Sequence, residues 1–488
     1  MNGYNNSQRP VAYFFNAATQ DSRERSGDSF HQRVPNATAA IGLVPTPQLS
    51  LFGYATATQL KANYSGDNVT TLDTALDNLD RKVEGGFEYH FSPRSMIWAK
   101  VSKGTTTQDL SDKEYSDRDV TDAAEYQFRH TVRVGSRNEV SWGAEAASRE
   151  RLISGTFPDE DPKNGKPIIG SFNVSTTTRS EFVYAADRFA WTKSWLLDGL
   201  MTLTRTTDKA SDIPEDDRVK YYASPRVGVA YRFGEQRLVR ASYEDWVRPA
   251  SDSMLAPVAT AGIPTDDRLA DFNARTKGAR VQVEWAWNPT TFTKGFVAHE
   301  GVDGAPPTTF PQAGRLPANA KDALERIKNN SLTNAATTNL FEGEPLAAHS
   351  TLNAAGVSIN QVIGSEVSAY AQYEFTPSET TSDTLSIYFV PRHQVVLGAT
   401  WVSPQRFYVS GQMVRRSERR TPDGVFDDVQ EVYGDLLWPS DWEGRLKAYW
   451  ELPSKRWSVE FEVKNLFVKD PIAFFKPTTS TIDLKFRY

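Results

Sequence analysis

Apolar and polar residues alternate with a period of two in many segments of this chain, which predicts β-strands with two different faces. In the segment 457–466, one face carries Trp457, Val459, Phe461 and Val463, and the other carries Ser458, Glu460, Glu462 and Lys464. The same alternation recurs at 226–233, 239–248, 280–287, 366–375, 394–401, 442–452 and 481–488. A water-soluble β-sandwich also alternates, but here the apolar faces end in Trp, Tyr or Phe and charges occupy the middle of the opposite face. We therefore expect strands with one face in lipid and the other in a wet lumen.

Very short turns alternate with long polar connections along the chain. The short turns fall at 45–48, 92–94, 135–138, 192–194, 234–236, 288–290, 363–364, 403–405 and 453–455, mostly at Pro, Gly, Asn or Ser. The long segments fall near 20–33, 61–80, 106–120, 151–177, 207–221, 249–275, 303–349, 377–390, 417–440 and 467–477. This asymmetry predicts an all-β fold: a transmembrane antiparallel β-barrel of about 20 strands (roughly 18–22), with short periplasmic turns and long extracellular loops.

The connection 303–349 is the longest and differs from the others. Residues 317–329 begin with Pro317 and place Ala323, Leu324 and Ile327 on one side, which predicts a short helix. One interpretation is an outward surface helix, and the other is a constriction that folds into the lumen. A barrel of this size is too wide for its side chains to fill, so it must enclose a channel or a plug.

Composition limits the alternatives. The chain has 488 residues and no cysteine, so disulfides and thiolate metal sites are excluded. No run of about 18 apolar residues exists, which excludes membrane-spanning helices. The net charge of -6 argues against nucleic-acid binding, which favours a basic face. We expect no cofactor and no metal.

The start of the chain carries no basic and apolar secretion signal. We expect residues 1–8 to form a periplasmic lead-in and residues 9–488 to form the outer-membrane barrel. Either a signal was removed and Met1 added or, as we favour, the chain is the C-terminal part of a longer polypeptide.

Charged residues on the polar faces are the candidate site. We expect them to line the pore, because mixed signs give a polar surface to a hydrated solute. They are Arg226, Arg232, Arg240, Glu244, Arg248, Arg280, Glu284, Glu443, Arg445, Lys447, Glu460, Glu462, Lys464, Asp483, Lys485 and Arg487.

Several segments resemble known outer-membrane proteins. Residues 223–234 and 238–251 resemble a hairpin common in the barrels of TonB-dependent receptors, and Val463-Lys-Asn-Leu-Phe resembles their penultimate-strand motif. Together with Pro249-Ala-Ser, the segment Leu255–Leu269 is more similar to proteins with periplasmic tetratricopeptide repeats followed by a C-terminal barrel. The last strand, with Ile482, Leu484, Phe486 and Tyr488 on its apolar face, resembles the signal read by the outer-membrane assembly machinery.

These resemblances imply a protein of the Gram-negative outer membrane that contacts lipid, lipopolysaccharide and the barrel assembly machinery. Barrels with upstream repeats are associated with export of polysaccharide or other surface polymers, which is the function that we expect, with a periplasmic repeat domain before Met1. The alternatives are the barrel of a TonB-dependent uptake receptor lacking its plug, and a passive porin. We do not expect an enzyme, because His90, His130, His299 and His393 belong to no catalytic motif.

Overall fold

Long antiparallel strands make up most of the protein. The computed structural model describes residues 2–5, 11–26, 28–65, 74–111, 116–160, 167–211, 218–251, 253–265, 272–303, 349–377, 391–417, 440–453, 457–467 and 479–486. The first twelve strands are β1 (Asn2–Asn5), β2 (Val11–Ser26), β3 (Asp28–Thr46), β4 (Leu49–Ser65), β5 (Thr74–Ser92), β6 (Ser95–Ser111), β7 (Ser116–Val134), β8 (Asn138–Glu160), β9 (Pro167–Ala190), β10 (Trp195–Ala210), β11 (Arg218–Phe233) and β12 (Arg237–Val247). The others are β13 (Ala259–Thr260), β14 (Ile263–Pro264), β15 (Arg275–Asn288), β16 (Thr291–Asp303), β17 (His349–Ile363), β18 (Val367–Phe375), β19 (His393–Ser403), β20 (Phe407–Arg416), β21 (Asp441–Glu451), β22 (Trp457–Leu466) and β23 (Thr479–Phe486).

Within the described residues, each strand pairs with the next one in the chain, so that these strands form one 21-stranded antiparallel sheet. The exceptions are β13 and β14, which pair only with each other, while β12 pairs directly with β15. The predicted all-β class and strand number are confirmed. Short turns join the strands at one end of the sheet, as predicted at 45–48, 135–138 and 234–236.

Several strands are much longer than the sequence pattern indicated. β8 has 23 residues and β9 has 24, so the predicted long connection at 151–177 consists mostly of strand. The connections predicted at 20–33, 106–120 and 207–221 are likewise mostly strand. About 9–11 residues suffice for a tilted strand to cross a bilayer. In the transmembrane barrel that the sequence predicts, both faces of a longer strand meet water beyond that length. The alternation is then lost, and the sequence of a polar strand resembles that of a loop.

The two faces of the sheet differ in the opposite sense to those of a water-soluble protein. One face, called the polar face below, buries Lys100, Glu125, Gln127, Glu145 and Ser180. The other, called the apolar face, exposes Val101, Tyr126, Trp142, Val183, Leu203 and many similar side chains. Buried charges and contiguous exposed apolar surface are both unfavourable for a monomer in water. Among the described residues, no helix is long and apolar enough to cross a membrane.

Aromatic rings lie flat over glycines on the polar face. A Cβ at Gly398 would stand 2.2 Å from the Tyr370 ring, and one at Gly86 would stand 2.6 Å from the Phe52 ring. Tyr184 covers Gly143 in the same way, and Phe296 covers Gly356. These contacts require the absence of a side chain, so the glycines allow large rings to pack against neighbouring strands.

The long connection expected to fold outward or inward, 303–349, lies outside the described residues apart from its two ends, together with its predicted helix. The same holds for most of 377–390, 417–440 and 467–477. The division into a lead-in at 1–8 and a barrel at 9–488 stays a prediction; residues 2–5 pair with β2.

Candidate functional site: a segment packed across the polar face

The connection between β12 and β15 does not lie as a loop outside the sheet. Residues 248–274 are called the inner strap below, and its described parts, 248–251, 253–265 and 272–274, turn back along the polar face. At its neck, the Arg248 N–H donates to the Ala274 carbonyl at 2.9 Å, and the Asn273 N–H donates to the Arg248 carbonyl at 2.7 Å. The strap thus leaves the sheet and returns to it at one point.

The neck is held by aromatic and polar contacts. Phe272 has two guanidinium groups over its ring, that of Arg149 at 4.2 Å and that of Arg248 at 5.0 Å. Such cation–π contacts contribute about 0.5–2 kcal/mol each. Asn273 donates from Nδ2 to Asp208 Oδ1 at 2.8 Å, which connects the neck to β10.

Apolar strap residues pack against the wall of the sheet. Ala256 forms a buried cluster with Phe182, Tyr184 and Leu200, and Met254 packs against it. Further along, Ile263 is 1 % exposed. Side chains this deeply buried are closely packed against the sheet, so the strap is a layer of the folded structure.

A buried carboxylate of β8 binds the strap backbone. Glu145, which is 5 % exposed, accepts hydrogen bonds at Oε1 from the N–H of Leu255 at 2.8 Å and from that of Ala256 at 2.6 Å. One wall side chain therefore satisfies two strap donors that burial removes from water.

Neighbouring strands add polar contacts to the middle of the strap. Lys100 Nζ donates to Ser253 Oγ at 2.5 Å and also lies 3.3 Å from Glu84 Oε2. Gln127 Nε2 donates to the Ser253 carbonyl. Ser253 Oγ donates to Glu125 Oε2 at 3.3 Å. These contacts extend the attachment of the strap to β6 and β7, and Lys100 connects it further to Glu84 of β5.

The tip of the strap is a tight hairpin. Ala261 and Gly262 both have positive φ angles, 52° and 78°, as a two-residue turn of type I′ requires. The Ala261 N–H donates to Asp198 Oδ2 at 2.7 Å, and Arg240 Nη1 donates to the Ala261 carbonyl at 2.6 Å. Asp198 and Arg240 lie near the starts of β10 and β12, beside the short turns. The strap therefore extends from the end with long connections almost to the opposite end of the sheet.

Part of the predicted pore-lining set holds this strap. Arg226 donates to the Thr265 hydroxyl at 2.8 Å and to the Pro257 carbonyl, and Arg240 pairs with Glu284 at 2.8 Å while it holds the tip. Arg248 lies at the neck. Glu244 and Arg280 share the polar face of β12 and β15 with Arg240, and Arg232 shares that of β11 with Arg226.

Other members of the set form ion pairs in β21 and β22. Lys447 pairs with Glu460 at 2.7 Å and Arg445 pairs with Glu462, both across the two strands, and Lys464 pairs with Glu462 within β22 at 3.2 Å. Glu443 accepts from Arg416 of β20 at 2.9 Å.

In the last strand, register places Asp483 opposite Glu460 and Lys485 opposite Ser458. It places Ile482, Leu484 and Phe486 opposite Phe461, Val459 and Trp457. Arg487 and Tyr488 lie outside the described residues. The lining and assembly roles themselves stay predictions.

The sequence pattern did not reveal the strap as an internal layer. Several apolar strap residues are buried, namely Ala250, Leu255, Ala256, Ala261 and Ile263. This many apolar residues in a connection between strands was the feature of the sequence that could have indicated an internal segment. Glu125, Gln127 and Glu145 form hydrogen bonds with the strap region, but the predicted pore-lining set contained no residue of their strands, β7 and β8.

Comparison with known proteins relates this architecture to a family. Residues 2–466 match the family model described as TonB dependent receptor-like, beta-barrel. The chain belongs to this family. It is consequently a transport-related β-barrel of the bacterial outer membrane, and family members are receptors and transporters, not enzymes.

Solved structures of the family share the fold at low sequence identity. The ferric preacinetobactin receptor BauA of Acinetobacter baumannii matches with a TM-score of 0.62 at 12% identity, over 99% of this chain and 78% of that one. The ferric-catecholate import receptor Fiu of E. coli K12 matches with a TM-score of 0.64 at 11% identity, over 99% and 78%. The copper transporter OprC matches with a TM-score of 0.63 at 11% identity, over 99% and 75%. No curated protein sequence matches this chain.

Proposed function

We propose that the sheet closes into a transmembrane barrel whose polar face lines the lumen and whose apolar face contacts lipid. The family supports closure, because an open sheet edge cannot be tolerated in hydrocarbon. The exposure of Trp142, Val183, Leu203 and similar residues supports the lipid contact. In this arrangement the short turns are periplasmic and the long connections are extracellular.

We propose further that the barrel is a transport pore for a hydrophilic cargo and that the inner strap sets its bore. The observation that carries this proposal is the attachment of the described part of the strap to the polar face, from the neck at Arg248 to the tip at Ala261. A barrel of this strand number encloses a space that side chains do not fill. A fixed internal segment reduces that space without closing it off from water.

For the direction of transport, we propose export of a polysaccharide or other surface polymer by a larger repeat-containing protein. The support is that the strap includes Leu255–Leu269, the segment similar to barrels with upstream tetratricopeptide repeats. The similar segment is therefore not an external loop: its described part extends along the polar face of the sheet.

Uptake is the second candidate function. Its support is that BauA and Fiu are named as receptors for ferric compounds and OprC as a copper transporter. The two directions predict different phenotypes in the native cell. Export predicts that a deletion mutant loses a cell-surface carbohydrate and grows normally under metal limitation. Uptake predicts an intact surface and poor growth when iron or copper is scarce.

The pore itself is tested in planar bilayers. A short Gly/Ser bridge joins Pro249 to Phe272 in place of the strap and keeps the contacts of the neck. We expect a larger single-channel conductance than for the unmodified protein, because the segment no longer occupies the lumen. A folded bridge variant with unchanged conductance would show that the strap does not set the bore.

A further inference from the structure

Two tyrosines stack on the polar face at the short-turn end of β20 and β21. Tyr408 and Tyr449 are directly opposite each other in the sheet, with ring centroids 5.1 Å apart and an angle of 21° between the rings. Both are half-buried. Each ring stacks on its partner with one face, and no residue that the structure describes forms a hydrogen bond with either hydroxyl. Part of the rings and both hydroxyls are therefore available to a ligand. The strap contacts described above involve β5 to β12, a different part of the wall.

The surroundings of this tyrosine pair contain both donors and acceptors. Lys447, one position along the same face from Tyr449, is held by Glu460 at 2.7 Å, and Glu460 is opposite Tyr449 in register. Further along the face, Gln412 Nε2 donates to the Tyr370 hydroxyl at 2.9 Å. The face therefore alternates aromatic rings with hydrogen-bonding groups.

The charges on this face beside the tyrosines balance in number. Lys447 pairs with Glu460, while Arg445 and Lys464 both pair with Glu462. A third carboxylate, Glu451, is the next residue after Tyr449 on the same face. A polyanion would need cations in excess, and here carboxylates already engage them. Matched pairs still offer N–H donors and carboxylate acceptors to an uncharged ligand, without a strong local field.

We propose that the tyrosine pair and its flanking ion pairs bind an uncharged carbohydrate chain at the periplasmic mouth of the barrel. A sugar ring has an apolar C–H face that packs on an aromatic ring and a rim of hydroxyls that both donate and accept hydrogen bonds. Aromatic side chains give large contact area with little loss of conformational freedom. This inference rests on the proposed transport of a surface polymer and specifies its chemical class.

The test measures block of the ion current through the full chain in planar bilayers. Maltohexaose and cellohexaose are the uncharged probes, and hexagalacturonate is the anionic one. We expect the uncharged probes to block at lower concentration than the anionic probe. Tyr408→Ala and Tyr449→Ala should each raise the half-blocking concentration about tenfold, which corresponds to about 1.4 kcal/mol. Tyr408→Phe and Tyr449→Phe keep the ring and should change it less than about threefold.

Tyr126 supplies the matched control, because it is a tyrosine of the apolar face with 61 % exposure. Tyr126→Ala should leave the block unchanged. If an alanine variant does not fold, Tyr408→Leu and Tyr449→Leu replace it, since leucine fills space without a ring face. Stronger block by hexagalacturonate, or equal block of wild type and ring-less variants, would overturn the proposal.

Failure of the pore can be separated from failure of the sugar site. Calorimetric titration of the detergent-solubilised protein with the same probes needs no ion current. Suppose that the protein shows no channel activity, but that binding heat is measured with the uncharged probes and is lost in Tyr449→Ala. This result would support the binding site and reject the open pore. Channel activity without block and without heat would reject the site alone.

Discussion

The carboxylate of Glu145 accepts a hydrogen bond from the backbone N–H of Ala256 at 2.6 Å, which joins β8 to the inner strap across 111 positions of the chain. The same oxygen accepts from Leu255 at 2.8 Å. Both contacts lie in a buried environment beside the apolar cluster of Phe182, Tyr184 and Leu200. Glu145 is therefore the wall residue best placed to decide whether the strap stays attached at its centre.

We expect Glu145→Ala to loosen the strap. The substitution removes both hydrogen bonds and leaves two buried N–H groups without this acceptor, which costs about 1–3 kcal/mol for such a group. The measurements are the urea midpoint of the folded protein in lipid vesicles and the open-channel current noise. We expect a lower midpoint and more frequent conductance steps.

Two further variants make this prediction specific. Glu145→Gln retains an oxygen acceptor and should give an intermediate effect. Glu150 lies on the same strand, is exposed and pairs with Arg179 at 2.9 Å. Exposed pairs contribute about 0–1 kcal/mol, so Glu150→Ala should change neither quantity appreciably. A Glu150→Ala variant as unstable as Glu145→Ala would contradict the anchoring role.

The glycine beneath Tyr370 gives a second prediction. A Cβ at Gly398 would meet the ring at 2.2 Å, whereas a Cβ at Gly411, in the neighbouring strand, would meet nothing within 4 Å. We expect Gly398→Ala to destabilise the barrel by about 1–3 kcal/mol, the usual cost of overpacking. Gly411→Ala should be neutral or slightly stabilising. The check is the temperature at which each variant loses its compact band on semi-native gels; equal temperatures would reject the packing explanation.

The sequence predicted strands where one face must differ from the other. Trp457–Leu466 has these bounds in the structure, because its alternation reflects a physical difference between its two environments. In contrast, Thr106 and Thr107 in β6 lie among polar residues on both faces, and the sequence predicted a loop there. Where both faces meet water, no periodic constraint acts on the side chains, and the pairing of the strand must come from its neighbours.

The strap could not be placed from the sequence for a different reason. Its position depends on single contacts to distant residues, such as Glu145, Asp198 and Lys100, and no local period connects them. The signal within the strap itself was its content of buried alanine, at Ala250 and Ala261 for example. Solvent-exposed connections do not require small apolar residues, but a segment packed on a sheet does.

Adjacent residues of β21 test which face meets lipid. Arg445 shares the polar face and pairs with Glu462, whereas Leu446 is 39 % exposed on the apolar face. We expect Arg445→Leu to fold and to alter conductance. Leu446→Arg should impair membrane insertion by about 2–4 kcal/mol if the position lies near the bilayer midplane. Folding yields into vesicles measure both effects. Equal yields for the two variants would refute the assignment of faces.

The orientation of the barrel in the membrane gives the last prediction. Because the chain has no cysteine, one introduced thiol is the sole site for a maleimide. Glu235 lies in the exposed turn between β11 and β12. Ile169 lies at the far end of β9 and is 78 % exposed, well beyond the roughly 9–11 residues that cross a bilayer.

We expect a large polyethylene glycol maleimide, which does not cross the outer membrane, to label Ile169→Cys in intact cells. It should label Glu235→Cys only after the outer membrane has been opened, because short turns of such barrels are periplasmic. Gel shifts of the whole-cell protein give the readout, and labelling after denaturation shows that both thiols are reactive. Labelling of Glu235→Cys alone in intact cells would reverse the orientation and place the strap tip and the tyrosine pair at the outer mouth.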